Sequence, residues 1–235
     1  MTLSFFQNPW RIAVVFIGLG FLIYGNALPH PFVHDDVVFI QQNPNIARLD
    51  NLSSVFFSPA RMGQDTGVAT PYYRPLLEII YRLEYRLFGL DPFGFHLFNV
   101  TVHVLNSLLL YTLLVQLIQA RPTAFAAALI FLVHPVQTEA VACVAGISNL
   151  VFALFCFLSF LFYLAGRNSQ SPWRIAHSLA CLIFFVLALL SKEQAVVLPF
   201  IVLAGEWVVL PPRAERRWGK FLLLMLFGVM LAFLS

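Results

Sequence analysis

Long apolar stretches separated by polar turns set the pattern of this chain, at 10–28, 93–118, 122–141, 147–165, 173–190 and 195–210. Most come close to the roughly 20 residues a helix needs to cross a bilayer core of about 30 Å. A further stretch, 219–235, is too short to cross comfortably. The pattern predicts an all-α membrane protein, a polytopic helical bundle of six to seven spans that continues beyond Ser235. One connection breaks the rhythm: residues 29–92 form a polar segment too long for a bundle turn. Inside it, Leu76, Leu77, Ile80, Leu83 and Leu87 share one helical face, Glu78 and Arg82 stand four apart, and Pro75 suits a first helical turn. That spacing predicts an amphipathic helix over about 75–88, lying in the membrane interface rather than crossing it.

Composition agrees and adds direction. The chain is 60% apolar and 11% charged, well below the roughly 25% charge of a soluble domain. The net charge of +3 comes without a basic run in a soluble region, so it carries topology and speaks against a nucleic-acid partner. Arg11, Arg121, Arg167, Arg174, Arg213, Arg216, Arg217 and Lys220 fall on alternate connections, whereas the opposite short connections hold only Lys192. The positive-inside rule then places the N-terminus in the cytoplasm, with the 29–92 loop and the turns at His134 and Lys192 outside. Localisation follows as multi-pass integral membrane, either a bacterial inner membrane or the endoplasmic reticulum. Cys143, Cys156 and Cys181 have no metal-type spacing. Asn51-Leu52-Ser53 fits a glycosylation acceptor pattern, which chance also supplies often.

Four polar motifs lie on that outer face: His34-Asp35-Asp36, Tyr72-Tyr73-Arg74-Pro75, His134-Pro135-Val136-Gln137-Thr138-Glu139 and Ser191-Lys192-Glu193. Ionisable residues beside a bilayer are costly to keep, and their agreement across separate loops points to one composite site. Asp35 and Asp36 are candidate catalytic residues, as general base, cation ligand or both; the competing reading is a cap and a solvated loop pair. Arg74 and Lys192 could bind a phosphate, the first as a fork and the second as a point charge. They could equally snorkel to headgroups or, for Lys192, pair with Glu193. His34, Tyr73, His134, Glu139 and Glu193 would shape the substrate and acceptor side, against a plain helix-end hydrogen-bond network. Should a divalent metal bind, Asp35, Asp36, His134 and Glu139 are its candidate ligands, although no HxxxH or CxxC supports one. Mid-span His103 and Asn106 share a helix face and are expected to bond between helices.

Tyr24-Gly25-Asn26, Phe32-Val33-His34-Asp35-Asp36, Asn43-Pro44-Asn45-Ile46, Tyr73-Arg74-Pro75-Leu76, the block from His134 to Val141 and Ser191-Lys192-Glu193-Gln194 also occur in a telling order. The series resembles the membrane domain of the transmembrane and tetratricopeptide-repeat O-mannosyltransferases and their bacterial relatives, within the GT-C glycosyltransferase superfamily. The resemblance implies a transferase that takes a sugar, such as mannose, from a polyprenyl-phosphate donor to a hydroxyl acceptor such as protein Ser or Thr. It also implies that Asp35 and Asp36 lie at the active site. Relatives often carry an Arg and an acidic residue shortly after the His-Pro block, where this chain has Ile147-Ser148-Asn149. No 34-residue helical-pair repeat is present. The expected partners are the bilayer, the lipid-linked sugar and a protein or peptide acceptor. The competing functions are a transporter or permease, which would place ionisable residues at span centres, and a non-catalytic anchor for a repeat domain.

Overall fold

A computed structural model describes residues 5–49, 52–57, 73–169 and 173–208. The segment 219–235 and the acceptor residue Asn51 lie outside these. The described residues are mostly helical and hold no strand, and four helices are long and apolar enough to cross a bilayer. They are α1 (Pro9–Tyr24, continued by a 3₁₀ turn to Ala27), α4 (Pro92–Ile118), α7 (Ile147–Asn168) and α8 (Trp173–Ser191). Between α1 and α4 lie the single turn α2 (Ser54–Phe57) and the amphipathic α3 (Pro75–Phe88). The last described helix is α9, Leu198–Val208.

The expected span at 122–141 is broken. Helix α5 (Arg121–Val133) ends at extended His134, Pro135 opens a 3₁₀ turn, and the short α6 (Thr138–Ala142) leaves at 48°. Proline disfavours helical backbone at the preceding residue and removes a helical donor, so the ladder stops there. Carbonyls freed at membrane depth need new donors. Helix α4 supplies them from one face. His103 Nε2 lies 3.0 Å from the Leu132 carbonyl, which also accepts from the Tyr24 hydroxyl at 3.1 Å. Asn99 donates to the Cys143 carbonyl at 2.8 Å and Asn106 to that of Leu150 at 2.8 Å. The polar stripe of α4 thus binds the break to its neighbours, as expected for His103 and Asn106.

Three apolar clusters fill the spaces between helices. At the amino-terminal end, Phe6, Ile12, Phe16, Phe125 and Leu132 join α1, α4 and α5. Leu113, Phe160, Tyr163, Phe185 and Leu198 join α4, α7, α8 and α9. The cluster that positions the polar loops contains Phe32, Ile40, Leu77, Tyr81, Phe95, Val141 and Ile147. It seats the first loop and α3 on α4 and the start of α7. Gly89 ends α3 with φ of 63°, the left-handed value that glycine takes without a side-chain clash. Asp91 then caps α4 by accepting from Phe93 N–H at 3.0 Å. Ile175, Leu179, Ile183 and Val186 of α8 point outward and bare, as a lipid-facing stripe should.

Candidate functional site

The two adjacent aspartates have opposite fates. His34 takes a left-handed backbone, φ 49°, and turns the chain into a short helical start that runs into a π-helical segment, Val37–Gln41. Asp35 leaves this turn on the exposed side. Asp36 points inward and is 0% exposed. Its carboxylate accepts from Val33 N–H at 3.1 Å and from Ala145 N–H at 2.7 Å, and the Cys143 thiol donates to it at 3.5 Å. Burial, followed by the charge and hydrogen bond of Asp36, pushes that thiol up to about 11, so it stays a donor. Asp36 therefore ties the first loop to the turn Val144–Gly146 that precedes α7.

That turn has no room for a larger residue. A Cβ on Gly146 would sit 2.4 Å from the Ala140 carbonyl oxygen, a backbone atom that cannot swing aside. Asp36→Ala would leave two part-buried N–H groups, those of Val33 and Ala145, without an acceptor. The expected outcome is a loss of about 2–4 kcal/mol, read as a lower apparent Tm of the detergent-solubilised protein. Asp36→Asn, which keeps an acceptor oxygen, is expected to lose less.

A second knot joins the other loops. Arg74, just before α3, forms a two-pronged ion pair with Glu193 after α8: Nε to Oε2 at 3.2 Å and Nη2 to Oε1 at 2.9 Å. The fork geometry makes this one of the stronger kinds of charged contact. Lys192 does not pair with Glu193; its ammonium donates to the Asn149 side chain on the first turn of α7. Burial and the Arg74 guanidinium both lower Lys192 from its ordinary value, while Glu193 and Glu139 pull the other way. For Glu193 burial opposes ionisation, but the Arg74 hydrogen bond and charge and the Lys192 charge outweigh it and hold the carboxyl low.

The two knots are neighbours. Ala145 binds Asp36 and Asn149 binds Lys192, and four residues of helical chain rise only about 6 Å. Tyr81, 1% exposed, senses both: its phenol is raised by burial, then by Glu84, Asp36 and Cys143, and lowered by Arg74. Tyr73 anchors the loop differently, donating from its hydroxyl to the Phe56 carbonyl at 2.7 Å. His134 is exposed, and its Nδ1 accepts from Val136 N–H at 3.1 Å, capping the broken span. Glu139 is exposed and within electrostatic reach of Lys192.

Of the expected site residues, Arg74, Lys192, Glu193 and Glu139 thus stand together, with Asp36 about one helical turn away along Val144–Asn149. No group of three or more His, Cys, Asp or Glu side chains among the described residues gathers as a metal would require. Asn149, Tyr81 and Glu84 are participants that motif reading passed over. Glu84, on the buried face of α3, is 3% exposed, and neither carboxyl oxygen has a hydrogen-bond partner. Asn149 lies in the Ile147-Ser148-Asn149 step, which the sequence offered without a partner for it.

Comparison with known proteins places this arrangement in context. The family model described as dolichyl-phosphate-mannose-protein mannosyltransferase matches residues 70–235. The chain is 35% identical to Protein O-mannosyl-transferase TMTC1 of Mus musculus over 184 residues, which is 77% of this chain and 20% of that protein. It is 37% identical to Protein O-mannosyl-transferase TMTC1 of Homo sapiens over 66% of this chain and 18% of the relative. With Protein O-mannosyl-transferase TMTC4 of Homo sapiens it shares 32% identity over 80% of this chain and 28% of the relative. The chain therefore spans about a fifth of the length of these TMTC1 relatives. No solved structure gives a significant match. The chain belongs to the dolichyl-phosphate-mannose-protein mannosyltransferase family, as membrane-domain sequence of its transmembrane and tetratricopeptide-repeat O-mannosyltransferase branch.

Proposed function

We propose that this membrane domain transfers mannose from a polyprenyl-phosphate carrier to a protein hydroxyl at the outer membrane face. The observation that carries the reading is the meeting of four polar motifs, far apart in sequence, at one end of a bundle whose family is named for this chemistry. A lipid-phosphate donor keeps its scissile bond at the interface, which is the depth at which such loops work.

Asp35, exposed beside the fixed Asp36, is the group free of structural duty in the pair and serves as general base. It takes the proton of the acceptor hydroxyl as that oxygen attacks the anomeric carbon. The bond from that carbon to the phosphate oxygen breaks, and the polyprenyl phosphate leaves with the extra negative charge. Lys192 meets that charge: Asn149 orients its ammonium, which has two further N–H donors. Arg74, held by Glu193, adds positive potential from the same side and keeps the carboxylate from competing for Lys192. His34, Tyr73, His134 and Glu139 border the acceptor side.

The test uses the full-length protein in lipid vesicles with a polyprenyl-phosphate mannose and a Ser/Thr-rich peptide. Mannosylated peptide and free polyprenyl phosphate in equal amounts are the expected products. Solute uptake without any mannosyl transfer would overturn the reading in favour of a permease. The only ionisable residue near a span centre that the sequence offered to a permease, His103, is occupied by the Leu132 carbonyl.

A further inference from the structure

A cleft of about 380 Å³ opens at the opposite end of the bundle from the polar loops, where the start of α1, the end of α4 and the start of α5 converge. Its walls are mostly apolar, formed by Phe6, Pro9, Ile12, Tyr111 and Val115, and among the described residues its one charged lining residue is Arg121. The volume lies within the range of small-molecule sites. Arg121 Nη1 donates to the Phe6 carbonyl at 3.2 Å. That bond fixes the guanidinium at the rim and uses one of its five N–H donors.

We infer that this cleft holds an anionic phospholipid. The position requires a ligand that lives at the membrane boundary: Trp10, next to the lining Pro9, is 78% exposed in the manner of an interfacial anchor. The chemistry of the walls divides in the same way as a lipid, with an acyl chain against the rings and aliphatic side chains and a phosphate on Arg121. Gln7 and Gln116, also in the lining, offer amide donors to the glycerol and headgroup oxygens. Among the described residues no carboxylate lines the cleft, and Arg11 is exposed on the first turn of α1 beside Ile12. This excess of positive charge favours a net negative headgroup over a zwitterionic one. Basic pockets between membrane helices bind such headgroups by the same pairing. The site is separate from the transfer chemistry and serves to fix α1 against α5.

The full-length protein, purified in mild detergent and mixed with equal phosphatidylglycerol and phosphatidylcholine, is read by native mass spectrometry. The expected result is one retained phosphatidylglycerol, preferred at least ten-fold. Arg121→Gln is expected to abolish the preference, and Arg121→Lys to restore part of it. Thr112→Trp, which fills the cleft from α4 and leaves Arg121 in place, is expected to abolish retention of either lipid while mannosyl transfer persists. Inorganic phosphate at millimolar concentration is expected not to displace the lipid. Equal retention of the two lipids by the wild-type protein, an unchanged preference in both Arg121→Gln and Thr112→Trp, or displacement by inorganic phosphate alone would overturn the assignment.

Discussion

Asp35→Asn in the full-length protein is expected to reduce mannosyl transfer by about 10²–10⁴-fold, the usual contribution of a positioned general base. The change is nearly isosteric, and Asp35 is exposed, with no hydrogen-bond partner for its side chain among the described residues. Its apparent Tm should therefore move little, since exposed substitutions usually stay within about 0.5 kcal/mol. Asp36 makes the contrast informative. Its carboxylate is committed to Val33, Ala145 and Cys143, so Asp36→Asn should lower stability and activity together. Binding of the lipid donor should survive in the Asp35 variant, so the loss should fall on kcat rather than KM. Full turnover in Asp35→Asn, measured as released polyprenyl phosphate, would remove the base from this position.

The second large effect concerns Glu84 and pH. Burial raises its carboxyl from 4.5 to about 8. The folded protein thus keeps a proton at neutral pH that the unfolded chain has released. Raising the pH from 4.5 toward 8 favours the unfolded state, by roughly 1.4 kcal/mol per unit for a fully displaced group. The contribution is complete below 4.5, falls through the window and levels off above 8. Glu84→Gln mimics the neutral acid at every pH. The variant is expected to match the wild type near pH 4.5 and to exceed it by several kcal/mol near pH 8. Unfolding in detergent across this range checks the slope, and identical slopes in the two proteins would show that Glu84 is not the group responsible.

The sequence was most legible where local rules decide. Helix α3 forms at Pro75–Phe88, as Pro75 and the spacing of its leucines indicated; its end at Gly89, with a positive φ, is a finding of the structure. The long spans followed from hydropathy, and His103 and Asn106 from the cost of polar side chains at membrane depth. The break at His134-Pro135 was visible, but its size was not, because the 48° bend depends on donors from α1 and α4.

The site was legible as a set of motifs and not as a set of partners. Arg74 and Glu193 lie 119 positions apart, and nothing in either motif specifies the other. The division of labour between Asp35 and Asp36 was equally hidden, because burial is set by where the Val144–Gly146 turn arrives. Lys192 invited a pairing with adjacent Glu193. Adjacent side chains in extended backbone point to opposite sides, and Lys192, with φ of −160° and ψ of 132°, is extended. Its ammonium reaches Asn149 instead.

The central claim is that these separated loops form one water-facing site on a single side of the membrane. Its most direct test is sidedness labelling of the full-length protein with its native cysteines replaced and single cysteines placed at Asp35, Glu139 and Glu193. Sealed vesicles of known orientation are treated with a membrane-impermeant maleimide. All three positions should react from the non-cytoplasmic side, and a cysteine at Arg121 from the other. Reaction of Asp35 and Glu193 positions from opposite sides of the bilayer would contradict the account.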